Sequence, residues 1–197
     1  MSLVKQRFSL ALLLLVITGN AWAHADAMGM SGGFFSGFTH PLFGWDHVAA
    51  MVAVGLWGAF LGRPALWILP VVFPVVMAGG GVLGIIGIPI PGVEIGIALS
   101  ALVLGLMVLF AVRPPLLVTA VLVGTFAIFH GHAHGTELPD AANPLAYSLG
   151  FVIATGLLHL SGIALGELTR WSWGGNAVRA GGAVISLAGV GFLTGLL

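Results

Sequence analysis

The 197-residue chain contains no cysteine. Disulfides, thiolate metal ligation and a cysteine nucleophile are therefore excluded. Charge is scarce as well. Only 6 % of the residues are charged, the six of each sign cancel, and Lys5 is the single lysine. With no basic patch, nucleic acid is excluded as a partner. No GxxxxGK[ST] loop occurs, so ATP is not hydrolysed by that route. What is present is overwhelmingly apolar: 59 % hydrophobic residues and a mean hydropathy of +1.14. A soluble domain cannot present that balance to water. Long apolar runs separated by short turns predict an all-α integral membrane protein whose main partner is the lipid bilayer.

Residues 1–23 have the layout of a cleavable N-terminal signal peptide. Lys5 and Arg7 are followed by "FSLALLLLVITG", too short to span comfortably, and then by small residues at Ala21 and Ala23. Cleavage would leave His24 first, where its imidazole and the new α-amino group could capture metal outside. Residues 24–197 then predict a six-transmembrane-helix bundle, with spans at about 39–61, 65–86, 93–112, 115–134, 144–169 and 176–197, each near the ~20 residues that cross a hydrocarbon core. The connections "GRP", "GIPIPG", "RPP", "TELPDAAN" and "RWSWGGN" are short and rich in helix punctuation. They leave no room for a soluble catalytic domain.

With the leader removed, Arg63, Arg113, Arg170 and Arg179 all fall in loops on the cytoplasmic side, as the positive-inside rule requires. This predicts a multi-pass membrane protein with both mature termini on the outer side, which is the periplasm if the membrane is a bacterial inner membrane. The 31 glycines suit close helix packing. Pro70 and Pro74 fall inside the second span, where a kink is expected. Phe73 beside them is either a core aromatic or part of a passage.

Two stretches concentrate the polar chemistry. In "FHGHAHGTE" (Phe129–Glu137), His130, His134 and Glu137 recur at helical spacing and share a face, while His132 points elsewhere. In "HPLFGWDH" (His40–His47), Pro41 fits a first helical turn. On a continuous helix His40 and His47 would lie on one face, about 10.5 Å apart along the axis. Asp46 would then stand about one and a half turns in, at a cost of up to ~3 kcal/mol unless compensated. Glu94 opens the third span on the same side. No intramembrane Lys or Arg is available as a counter-ion, which leaves a bound cation, a His–carboxylate network or a proton relay. Imidazole and carboxylate without thiolate suit Ni²⁺, Co²⁺ or Zn²⁺. His159, near mid-membrane, and Glu167, near the inner end, either continue a path inward or are a satisfied buried histidine and a helix-end carboxylate beside Arg170. The two motifs open one span and close another, so they do not map onto each other as an inverted repeat.

The two motifs resemble the paired signatures of the HupE/UreJ family of hydrogenase and urease accessory membrane proteins. His40, Pro41, Gly44, Asp46 and His47 match the first. Phe129, His130, Gly131, Ala133, His134, Gly135 and Glu137 match the second. The resemblance covers the mature chain, leader and span layout included, and leaves His132 without an inherited role. It implies a nickel permease, sometimes carrying cobalt, that supplies metalloenzyme maturation. The ion would be cargo, no cofactor would be permanently bound, and a nickel chaperone or maturation protein would receive it. The metal site is then expected to draw on His40, Asp46, His47, Glu94, His130, His134 and Glu137. Its ligands must be deprotonated, so uptake should fall as pH drops through the range near ~6.5 of an unperturbed histidine. Two other classes fit the same residues: a membrane metalloenzyme activating water or oxygen, and a haem-carrying membrane subunit with histidine axial ligands.

Overall fold

The computed structural model describes residues 33–138 and 143–197. The proposed leader, His24 and Asp140 lie outside the described residues. Among the described residues every regular element is a helix. The elements are α1 (Phe34–Phe43), α2 (Trp45–Leu61), α3 (Ala65–Ile85), α4 (Val93–Leu109), α5 (Leu116–Thr136) and α6 (Pro144–Gly166). A 3₁₀ turn (Glu167–Arg170) follows, and then α7 (Gly174–Thr194). α3, α5, α7, and α6 taken with its 3₁₀ turn, are each long and apolar enough to cross a membrane. α1 and α2 meet the same test only together, across an 81° bend. α4 has 17 residues, about 25 Å at the helical rise, a little short of a typical hydrocarbon core.

The first expected span is therefore corrected. The helix does not begin at about residue 39 and run on unbroken to 61. It begins at Phe34 and breaks at Gly44, whose backbone is extended at φ −80°, ψ 104°. Pro41 accordingly lies inside α1 rather than in its first turn. The physical reason lies in "HPLFG": proline removes a backbone donor and glycine carries the highest cost of ordinary residues in a helix interior. The other expected bounds shift by a few residues. The third helix ends at Leu109, and α3 runs unbroken through Pro70 and Pro74.

α2 is the central helix, packed against α3, α4, α6 and α7. α5 lies along α3, α7 along α4, and α1 along α6. Glycine sets the closest of these approaches. A Cβ at Gly131 would strike the Met77 carbonyl, and one at Gly55 would strike the His159 carbonyl, so α5 meets α3, and α2 meets α6, almost backbone to backbone. Outside, Val71, Val75, Val121, Leu157 and Leu187 are exposed. An exterior as apolar as the interior is what a lipid solvent requires. The end carrying the arginines is tied together by polar contacts. Arg179 Nε donates to Leu109 O at 2.8 Å, Trp57 Nε1 donates to Val112 O at 3.0 Å, and Arg113 sits 4.5 Å above the Phe60 ring. Glu167 pairs with Arg170.

Candidate metal centre

The bend at Gly44 decides the geometry of the opposite end. It carries His40 on α1 and His47 on α2 towards each other, with ring centroids 6.1 Å apart, rather than spreading them along one axis. It also starts a new helix at Trp45, so Asp46 occupies a first turn and not a helix interior. A carboxylate is favoured there by the helix dipole and unpaired N–H groups, which removes the insertion penalty expected of a continuous span. Asp46 Oδ1 accepts from the His47 backbone N–H at 2.8 Å and lies 2.7 Å from His47 Nδ1.

α5 presents its histidines as the four-residue spacing requires. His134 lies with its ring 4.8 Å from that of His40 and 4.6 Å from that of His47. One turn deeper, His130 lies 4.7 Å from His47. Glu137 Oε2 is 3.6 Å from His40 Nε2. One ligand atom each from His40, His134 and Glu137 falls within 4.8 Å of the others. A transition metal holds such atoms at roughly 2.0–2.2 Å, so small side-chain movements would bring all three onto one ion. His40 and Glu137 are 38 % and 52 % exposed at their side chains, while His134 is buried. The trio therefore forms a mouth with an interior-facing third member. A cavity of about 210 Å³, lined in part by Met77, Gly81, Gly135, Tyr147 and Phe151, opens beside His134.

Hydrogen bonding fixes where the deeper lone pairs point. A carboxylate only accepts, so neutral His47 carries its proton on Nδ1 and leaves Nε2 as the free acceptor. Ser100 Oγ lies 2.6 Å from Ile97 O and 2.9 Å from His130 Nε2. Its single proton goes to the carbonyl, so it accepts from His130 Nε2–H, and His130 Nδ1 is the free acceptor. His47 Nε2, His130 Nδ1 and both nitrogens of His134 are buried without a protein partner. Each such group costs about 1–3 kcal/mol when unsatisfied. A divalent cation is the kind of species that several neutral imidazole lone pairs at one place can bind together.

Three residues singled out in the sequence stand apart from the rest, His132 as expected. Glu94 is in the first turn of α4 and exposed, outside the group formed by His40, His134 and Glu137. The α4 contribution to the cluster is Ser100 instead, which nothing in "IALSALVLG" distinguishes from an ordinary small residue. His132 turns away, with Nε2 2.8 Å from Ile88 O, and so anchors the α3–α4 connection. Phe73 is fully buried, its ring 5.5 Å from that of His130 and 5.4 Å from that of His159. Tyr147 and Phe151 of α6, also unremarked in the sequence, border the mouth. Phe151 packs 4.1 Å from His134, and the Tyr147 ring lies 6.4 Å from that of His40.

The HupE/UreJ protein family matches residues 12–192. The chain belongs to the HupE/UreJ family. It is also 48 % identical to Protein HupE of Rhizobium leguminosarum bv. viciae over 173 residues, 88 % of this chain and 91 % of that protein. No solved structure matches. Both HupE/UreJ motifs meet at the polar end just described: the first arrives on a broken helix, the second on a continuous one.

Proposed function

We propose that this chain is a secondary permease for a divalent transition metal, nickel foremost and cobalt next. It moves the ion inward across a bacterial cytoplasmic membrane for hydrogenase or urease maturation. The observation that carries this reading is the continuity between the mouth trio of His40, His134 and Glu137 and the unpartnered nitrogens of His47 and His130 beneath it. Mixed nitrogen and oxygen ligation binds a borderline ion while still allowing release. Thiolates, which would hold soft ions tightly, are absent from the chain. Membership of the family and the relative named HupE support the same role. In this reading the protein is a transporter and not an enzyme, and a maturation protein or nickel chaperone receives the ion inside. Six crossings are counted when the bent α1–α2 pair and the short α4 are each taken as one. The arginine end is then cytoplasmic by the positive-inside rule, and both mature termini are periplasmic.

The test is uptake of radioactive nickel, against cobalt and zinc, by cells expressing the chain. Accumulation above cells lacking it is expected, with nickel leading. Equal uptake in both would remove the permease reading. A C-terminal alkaline phosphatase fusion is expected to be active, and an inactive fusion would invert the membrane orientation.

A further inference from the structure

The Phe73 ring lies beside two histidine rings, 5.5 Å from that of His130 and 5.4 Å from that of His159. Outward lies His130, part of the cluster beneath the mouth. Inward lies His159 on α6, which is 1 % exposed, with both ring nitrogens buried and unpartnered in the protein. One turn outward from it, the hydroxyl of Thr155 is likewise buried without a partner for Oγ1. A mid-helix threonine ordinarily bonds back to a carbonyl of its own helix, as Thr39, Thr119, Thr125, Thr136 and Thr194 do here. Among the described threonines Thr155 is the exception, and it belongs to a stripe of buried residues at four-residue spacing on α6: Tyr147, Phe151, Thr155 and His159. The stripe starts beside His40 and His134 and extends about 18 Å along the helix axis, more than half of a hydrocarbon core.

We propose that His159 and the Thr155 hydroxyl form a second, inner coordination station for a borderline divalent cation, separated from the outer histidine cluster by the ring of Phe73. This inference rests on the permease reading and deepens it. Continuous ring contacts lead from His40 through His134, His47 and His130 to Phe73 and His159. An ion leaving His130 meets an aromatic face and, beyond it, an imidazole nitrogen and a hydroxyl oxygen as its next ligands. Two protein ligands, with water filling the remaining positions, hold an ion weakly enough to release it inward. Rotation of Phe73 would open the step between the stations, because the ring bears on both histidines at once.

Proteoliposomes carrying the full chain provide the test, read as radioactive nickel influx alongside Co²⁺ binding to the detergent-solubilised protein. His159→Ala is expected to lower influx about tenfold or more, the scale of losing a metal contact, while Co²⁺ still binds the outer cluster. In a chain with no other thiol, His159→Cys is expected to restore influx and raise the Cd²⁺-to-Ni²⁺ influx ratio at least about threefold, because thiolate favours the softer ion. A residue that merely filled space would not change that ratio. Wild-type influx in His159→Ala, or an unchanged ion ratio in His159→Cys, overturns the inner station. Thr155→Val, nearly isosteric, is the second variant if His159→Ala does not accumulate. Lowered influx at normal abundance supports the station, and wild-type influx overturns it. Absence of influx in the unmodified protein would instead remove the permease reading, together with the station that rests on it.

Discussion

The two motifs reach the same site by opposite routes. "FHGHAHGTE" lies on one continuous helix and its C-cap, and its polar residues are sorted by periodicity alone: His130 and His134 towards the first motif, Glu137 at the exposed mouth, His132 to the α3–α4 connection. "HPLFGWDH" is cut at Gly44, and its residues are brought together because the helix stops. A regular helix can line a column of ligands but cannot fold two of them back on each other. A break can, and it also supplies a helix N-terminus to receive the carboxylate that orients His47.

If the two routes converge on one centre, the heaviest loss should come from the residue common to both. His134→Ala removes the ring that touches both His40 and His47. Nickel uptake is expected to drop about a hundredfold with normal protein abundance in the membrane. Uptake within a few-fold of wild type would separate the motifs functionally. Gly44→Ala attacks the break itself. The new Cβ would stand 3.0 Å from His47 Nδ1 and 3.1 Å from Asp46 Oδ1, and alanine favours helix by about 1 kcal/mol. Uptake should fall roughly tenfold, and normal uptake would show that the bend tolerates a side chain. Asp46→Asn keeps an acceptor but loses the charge that fixes the His47 proton. A loss of about tenfold is expected in uptake, with the thermal midpoint of the purified protein little changed.

Gly131→Ala tests the continuous helix at its back, where the added methyl meets the Met77 carbonyl of α3. The expected effect is on stability, about 1–3 kcal/mol, read as a lower unfolding midpoint in detergent. His132→Ala should be mildest: about 1 kcal/mol from one lost hydrogen bond, and uptake within about twofold. A severe transport defect in His132→Ala at normal abundance would place this residue in the pathway after all.

What was legible beforehand follows the same division. The helical class and most helix bounds could be read because lipid-facing and core positions are both apolar, so each helix appears as one long run. The α5 face was legible because four-residue spacing survives in any straight helix. The geometry of the first motif was not, because the effect of Pro41 and Gly44 depends on whether neighbours complete the bend, and those neighbours come from α6. Ser100 and Thr155 were missed because a lone hydroxyl in an apolar run ordinarily bonds its own backbone. Only tertiary structure shows that Ser100 also meets His130 and that Thr155 lacks such a bond. Glu94, a carboxylate in the first turn of α4, stands outside the group of His40, His134 and Glu137, and spacing along its own helix carries no information about that distance.

The proton assignments at His47 and His130 have an electrical consequence. In the neutral tautomers that Asp46 and Ser100 select, the proton sits on the far nitrogen, and in a permease a cation could bind the near nitrogen without displacing a proton into the column. An ion passing such rings would carry both of its charges through uncompensated. Inward passage would then be driven by the membrane voltage itself, with two charges gaining about 4.6 kcal/mol per 100 mV, inside negative. Dissipating that voltage with an ionophore at constant pH should slow nickel influx, whereas collapsing a pH gradient at constant voltage should leave it unchanged.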